Sequence, residues 1–461
     1  MKESFLKRID TTLWEILRGS SVVFTMKVAG AGLAFAFSVL LARLLGAEGA
    51  GAYFLSLTVL TIGSMVGRLG LDEVLVRRVA ADADQNRWEK VRNVYRAGMS
   101  TAAASGCIVG IGLFLTSSWI AEYGFGNPDL AGPIALMGIA VVPLVLSRLY
   151  SQILKALKRF VVFALIRKQG ILIPGFSIIG TFVLCGVLEW GVTGAVRAFV
   201  GGSVAALFVG DYTWRQTLQT ETSLRAPLFF RELTGISWTS VASLTDASIN
   251  LFWVEALGFL RNKFGLLLLG VWASESEVGI YGVALRVALL TSFIQVAINS
   301  IVSPKIASLY ERNRREELER VARYAVQLST LLATPPLLLF TLFPDLVLWL
   351  FGSEFTAGAG PLMVLAVAQF INVSTGPVGY LLIMTGRAKQ MRNVDILATG
   401  VGLVLYLTLI PGYGAVGAAI AYGTAITVRY LGAGLTVFRN LDIILFGPFD
   451  ILTELLKYKK R

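Results

Sequence analysis

Asp246, Glu255, Arg261, Lys263 and Arg286 lie along one stretch, 246–286, in which most other residues are apolar. Two apolar helices are predicted there, meeting at a short acidic turn, 274–277. A charge near the centre of a bilayer costs roughly 2.5–3.5 kcal/mol on insertion scales, so such residues face a bundle interior or a wet cavity. Six further cations fall inside apolar runs or at their ends: Lys27, Arg43, Arg167, Lys168, Arg197 and Arg429. Only Asp246, Glu255 and Asp395 oppose the whole set. Three acids cannot neutralise nine cations, so some cations are expected to line an aqueous cavity and await an anion.

The residue types suggest which anion. A guanidinium offers a planar fork of charge-assisted donors and an ammonium a compact point charge. Both in a low-dielectric cleft attract a pyrophosphate head group and repel cationic drugs. Lys27, Arg43, Arg261, Lys263 and Arg286 are the candidate binding set, with Lys27, Arg261, Lys263 and Arg286 the strongest members. The competing uses are specific. Arg43 can snorkel, and Arg167 and Lys168 more readily snorkel than bind. Arg197 and Arg429 can each pair with a neighbouring helix, and a Glu255 salt bridge can absorb one or two of the strongest four. Asp246, Glu255 and Asp395 are ion-coupling candidates, because an intramembrane acid can bind a proton or Na+ and couple its gradient to motion. For Asp395 a helix cap or a salt bridge to Arg392 or Arg387 is the simpler reading; for Asp246 both readings stand.

Catalytic and metal chemistry find no support. The chain contains no histidine, and its two cysteines, Cys107 and Cys185, lie in apolar runs as packing residues. No zinc spacing, phosphate-cradling Gly loop or G-x-S-x-G occurs, so no cofactor, metal or catalytic residue is expected. A net charge of +12 would suggest nucleic acid in a soluble protein. Here it fits positive-inside topology, and no basic platform in a soluble domain offers nucleic acid a surface.

The elements that must position these residues are transmembrane helices. The 461 residues are 55% apolar and only 15% charged, with a mean hydropathy of +0.70. That defines an all-α polytopic membrane protein. Twelve spans are predicted, at 21–45, 50–67, 99–120, 131–153, 161–186, 191–210, 238–271, 279–301, 324–343, 361–385, 394–411 and 415–437. The seventh is long enough to project beyond the hydrocarbon or to break at Gly258. The connections 46–49, 121–130, 187–191, 272–278, 344–360 and 411–414 carry no Lys or Arg, whereas the alternate ones are rich in both. Both termini are therefore expected in the cytoplasm of an inner membrane. The N-terminus lacks a cleavable signal pattern and reads as a retained amphipathic lead-in.

The domain reading follows: an N-terminal six-helix lobe at 1–210, a cytoplasmic linker at 211–237, a C-terminal six-helix lobe at 238–439 and a basic amphipathic tail at 440–461. The inner connection 305–323 also reads as helical, with Glu316 and Arg320, and Glu319 and Arg323, at i,i+4 spacing. A weak repeat underlies the lobes. Gly51-Ala-Tyr53 matches Gly279-Ile-Tyr281, and 191–195 (GVTGA) matches 414–418 (GAVGA), each pair about half the chain apart. Six spans per repeat imply two lobes related by a pseudo-two-fold along the membrane normal, with the site between them.

Several motifs in order carry a resemblance. LLARLLGAEGAGAY (40–53) resembles the opening of Wzx-like polysaccharide flippases, and LGVWASESEVGIYGVALR (269–286) resembles that family's second-half signature. SPKIASL (303–309), WLFGSEF (349–355) and GAVGAAIA (414–421) also match in order. The family belongs to the multidrug/oligosaccharidyl-lipid/polysaccharide (MOP) superfamily, which includes the MATE exporters. The resemblance implies two six-helix lobes working by alternating access. It also implies a non-enzymatic flippase that carries a polyprenyl pyrophosphate-linked oligosaccharide from inner to outer leaflet for cell-surface polysaccharide biosynthesis. Its partners would be the lipid bilayer, that lipid-linked glycan and the pathway's glycan polymerase or glycosyltransferases. One departure is that Asn262-Lys263 stands where many relatives carry an Asp followed by a basic residue, so a coupling role at that acid is in doubt. The alternatives are a cation-coupled multidrug exporter of the same superfamily, which predicts an acidic or aromatic cleft, and a membrane-embedded glycan polymerase or ligase. The latter needs catalytic groups on a sizeable outer loop, and the predicted outer loops are short.

Overall fold

Apolar runs in a bilayer must satisfy every backbone amide internally, and this chain does so with helices. A computed structural model describes residues 2–167, 170–222, 238–441 and 443, and among them no strand forms. The first helix, α1 (Lys2–Arg68), covers the first two predicted spans and is bent at Gly46, where φ is 68°. It is followed by α2 (Leu71–Asp84), α3 (Trp88–Trp119), α4 (Ala131–Ala156), α5 (Phe160–Ile166), α6 (Leu172–Thr181) and α7 (Gly191–Thr222). Next come α8 (Trp238–Trp272), α9 (Glu275–Leu289), α10 (Ser292–Glu311), α11 (Arg315–Leu342) and the short α12 (Pro344–Trp349). Then follow α13 (Ala359–Ser374), α14 (Val378–Met384) and α15 (Ala388–Leu441), the last bent at Gly414. Eight helical segments among the described residues are long and apolar enough to cross a membrane, and the chain is a multi-pass membrane protein.

The helices interrupt themselves where the sequence does not announce it. The seventh predicted span is one unbroken helix, α8, through Gly258. The fifth is broken instead: α5 stops at Ile166, Arg167 is extended (ψ 155°), and α6 resumes at Leu172 before widening into a π-helical stretch, Phe182–Val187. The inner connection 305–323 is not one helix. Asn313 takes a φ of 54° between α10 and α11 and reverses the chain. Lys168 and the tail 440–461, apart from Asn440, Leu441 and Ile443, lie outside the described residues.

Two compact units divide the chain, Met1–Ala256 and Leu257–Arg461. The division falls inside α8 rather than in 211–237, whose first residues continue α7. In the first unit α4 is central and packs on α1, α3 and α7. Apolar burial gives little drive between helices in lipid, so close backbone approach does the work. Gly110 of α3 and Gly138 of α4 face each other so closely that a Cβ on either would lie 2.7 or 2.9 Å from the other's carbonyl oxygen. In the second unit α15 packs on α13 and α14, and Leu318, Val326, Leu381, Met391 and Val437 form part of a buried cluster where α11, α14 and α15 meet.

Candidate functional site

The first unit holds an ionic quartet around a buried arginine. Leu69 and Gly70 join α1 to α2, and Gly70 has φ 74°, the left-handed region that glycine tolerates. A Cβ there would lie 2.4 Å from the Ser248 carbonyl oxygen and 2.7 Å from the Phe252 nitrogen. The α8 backbone thus rests directly on this turn, and Glu255, one turn further on, reaches Arg68. Arg68 is 1% exposed. Its Nε donates to the Ser64 carbonyl at 3.0 Å, one terminal nitrogen to Asp72 and the other to Glu255 Oε1 at 2.6 Å. Arg148 of α4 stands 3.5 Å from the same two carboxylates. Two guanidinium groups and two carboxylates balance, which makes so deep a burial tolerable.

Beside this quartet lies a group of cations with no acid. Lys155, near the end of α4, and Arg167, in the break after α5, both sit against the Phe163 ring, at 5.9 and 5.4 Å from its centroid. Ser151 donates to the Phe163 carbonyl at 3.3 Å and ties α5 to α4. Lys27 of α1 lies in the electrostatic field of both cations. Among the described residues no carboxylate comes within ion-pair distance of Lys27, Lys155 or Arg167.

The second unit is organised around a single acid. Asp395 Oδ1 accepts from Arg261 of α8 at 2.8 Å and from Arg429 Nε at 2.6 Å. Tyr406 donates to the Arg261 carbonyl at 3.1 Å, and Thr399 to that of Asp395 at 2.7 Å. Lys263, two residues beyond Arg261, forms no ion pair among the described residues and lies in the field of Arg286. Arg286 donates to the Gly282 carbonyl of its own helix at 2.9 Å. A buried amide chain runs nearby. Gln369 donates to Tyr422 and accepts from Asn372, and Gln295 donates to the carbonyls of Asn372 and Gly376.

The predicted acidic turn caps two helices. Ser274 Oγ accepts from the Glu277 amide at 3.3 Å, at the start of α9. Glu277 in turn accepts from the Ala415 amide at 3.1 Å, where α15 restarts after its bend. A carboxylate at a helix N-terminus satisfies a free amide and complements the dipole. Gly414 has φ 48°, and a Cβ there would lie 2.1 Å from Glu277 Oε2.

Several predicted residues acquire partners different from those expected. Asp395 pairs with Arg261 and Arg429, not with Arg392 or Arg387, because its face of α15 turns toward α8. Glu255 takes Arg68 and Arg148 rather than any of Lys27, Arg261, Lys263 or Arg286. Arg197 stacks on Trp190 at 4.6 Å. Arg43 is exposed on α1, and Asp246 lies in α8 with its side chain outside the described residues. Arg261 and Lys263 share one short segment of α8 in the second unit, and Lys27 belongs to the first. Sequence reasoning missed Arg68, Asp72 and Arg148, which counted as basic or acidic inner connections. The i,i+4 spacing of Arg68 and Asp72 was the available signal. It also placed Asp211 in a linker, whereas Asp211 lies in α7, accepts from Tyr150 at 2.9 Å and pairs with Arg215.

Comparison with known proteins adds four findings. Residues 40–359 match the family model described as polysaccharide biosynthesis protein. The probable low-salt glycan biosynthesis flippase Agl15 of Haloferax volcanii is 25% identical over 425 residues, covering 90% of this chain and 82% of that protein. Among solved structures, an inward-facing MATE family multidrug transporter of the MOP superfamily superposes with a TM-score of 0.69 at 15% identity, covering 92% of this chain and 98% of that one. The lipid II flippase MurJ gives the same TM-score at 14% identity, covering 91% and 87%. At such identities the structures share a fold.

Proposed function

This chain belongs to the polysaccharide biosynthesis protein family, and from that premise we propose that it is a flippase for a lipid-linked oligosaccharide. The observation that carries the reading beyond the family is the cation surplus inside the spans. Asp395 alone faces Arg261 and Arg429, and Lys263, two residues along α8 from Arg261, has no ion-pair partner among the described residues. An anionic head group is the natural counter-charge for such a set. We read the cargo as a glycan on a polyprenyl pyrophosphate, taken from the inner to the outer leaflet by alternating access of two six-span lobes with both termini in the cytoplasm. The relative named as a glycan biosynthesis flippase supports this reading.

No chemistry on the cargo is required, and no catalytic residue is assigned. Glu255 and Asp395 each lie within ion-pair reach of two guanidinium groups, which favours Asp246 for any coupling to a proton or Na+ gradient. Glycan polymerases and glycosyltransferases of the same pathway are the expected partners. The exporter alternative calls for an acidic or aromatic cleft, and the charge surplus here is basic.

The test is replacement of Lys263 by Gln in a flippase-deleted host, with glycan delivery to the cell surface read against protein level. Delivery should fall about tenfold or more, as for a lost charged contact to cargo. Full delivery at normal protein level removes the electrostatic basis of the reading.

A further inference from the structure

We propose that Tyr406 is a positioning residue for transport: it fixes the register of α8 on α15, so that Arg261 takes Asp395 and Lys263 is left for the cargo. The inference rests on the flippase reading for what Lys263 does.

Asp395, Thr399, Gly402 and Tyr406 recur at i, i+4, i+7 and i+11, so they lie along one face of α15. That face meets α8 at two points. At one end the Asp395 carboxylate accepts from the Arg261 side chain at 2.8 Å. At the other the Tyr406 hydroxyl donates to the Arg261 carbonyl at 3.1 Å. A single residue of α8 is thus held by its side chain and by its backbone.

The backbone does not need the second of these bonds. Arg261 lies well inside α8, where a carbonyl already has its helical donor, and Tyr406 uses the remaining lone pair. A phenylalanine at 406 would fill the same space with no polar group to satisfy. What the hydroxyl adds is direction. Apolar packing alone discriminates poorly between registers of two helices in lipid, because lipid tails are as apolar as the side chains. Space restricts the register further. Tyr406 is 1% exposed, and its ring lies over Gly265, where a Cβ would be 2.5 Å from Cε1 and 3.0 Å from Cζ. One turn along α8 in either direction the same face presents Arg261 or Leu269, each with a side chain where the ring would sit.

The register matters because of Lys263. Two residues beyond Arg261 is about 200° round the helix, so Lys263 leaves α8 on the side away from Asp395. Asp395 is shared by Arg261 and Arg429, and Lys263 has no ion-pair partner among the described residues. Rotation of an α8 released from Tyr406 would exchange one cation for another at the acid and cover the charge that meets the cargo.

The test is a double-mutant cycle on the full-length chain. Glycan delivery in the flippase-deleted host is read against protein level and the unfolding midpoint in detergent. Tyr406→Phe keeps the ring and removes only the donor. It should cut delivery about fivefold, as for one neutral hydrogen bond, with protein level unchanged and the midpoint lowered by only a few degrees. In a Lys263→Gln background the same substitution should change delivery by less than about twofold, since a residue acting through Lys263 then has nothing left to position. A merely structural Tyr406 would lower delivery by the same factor in both backgrounds, and that outcome overturns the proposal. Gly265→Ala, which drives a methyl into the ring, should reproduce the loss, and normal delivery by it overturns the register argument. If either variant fails to fold, the other supplies the cycle. Tyr413→Phe, 66% exposed on the same helix, should deliver normally, and a loss there as large as at Tyr406 overturns the assignment to position 406. Full delivery by Tyr406→Phe where Lys263→Gln is impaired overturns the positioning role and leaves the flippase reading standing. Full delivery by Lys263→Gln at normal protein level overturns the electrostatic reading and this inference with it.

Discussion

In the first unit Arg68 and Arg148 meet two carboxylates, whereas in the second Arg261 and Arg429 share a single oxygen of Asp395. The quartet is balanced around an arginine that is almost wholly buried. The Asp395 group keeps a net positive charge, and its two arginines, at 12% and 20% exposed, are more open than Arg68 at 1%, although Arg148 and Glu255 of the quartet stand more open still at 36% and 31%. A membrane protein can afford deep burial of a cation only with a matched acid. Surplus charge is tolerated where water or an anion can reach it. The first arrangement is built to hold helices together, and the second leaves capacity for a ligand.

That contrast predicts a graded response to losing one carboxylate. Glu255→Gln leaves the buried Arg68 and its neighbour Arg148 to share Asp72 alone, so stability should drop by about 3–5 kcal/mol. The expected readout is a large fall in the thermal unfolding midpoint in micelles, together with low protein yield. A variant as stable as the parent would show that the quartet does not secure α8 to α1.

Asp395→Asn should cost less, about 1–3 kcal/mol, because Arg261 and Arg429 keep access to solvent. Adding Arg429→Gln should restore much of that loss by removing the second stranded charge. An unchanged midpoint in the double variant relative to Asp395→Asn would mean that the two arginines are not competing for one counter-charge.

The smallest effect is expected at Lys263. It has no ion-pair partner among the described residues, so Lys263→Met should leave stability unchanged or raise it by no more than about 1 kcal/mol. A clear loss of stability would reveal a structural role and bring the second unit closer to the first.

Much of this was legible in the sequence. Length, mean hydropathy and the placement of Lys and Arg identify a multi-pass helical membrane protein, and the ordered motifs point to the family. Which cations are structural was not legible. Arg68 and Arg148 sit at the ends of apolar runs, where charge counting assigns them to the inner surface. The burial of Arg68 and its pairing with Glu255 depend on α8 crossing the turn at Gly70, a contact between positions far apart in sequence. Asp395 was read against its chain neighbours Arg387 and Arg392 because sequence shows proximity along the chain. Its partners come from α8 and from beyond the α15 bend. The break after Ile166 was missed for a related reason. An apolar run with one Arg-Lys pair reads as continuous, and only the backbone shows that it stops.

The Glu277 cap has a consequence for variation within this fold. Its carboxylate occupies the space that any side chain at 414 would need, so neither position can change freely while the other stays fixed. These two residues belong to different motifs, 269–286 and 414–421, that carried the family resemblance. Related chains should therefore vary at the two places in concert, a larger residue at one accompanying a shorter one at the other, so that what reads as separate signatures is one joint packed from both sides.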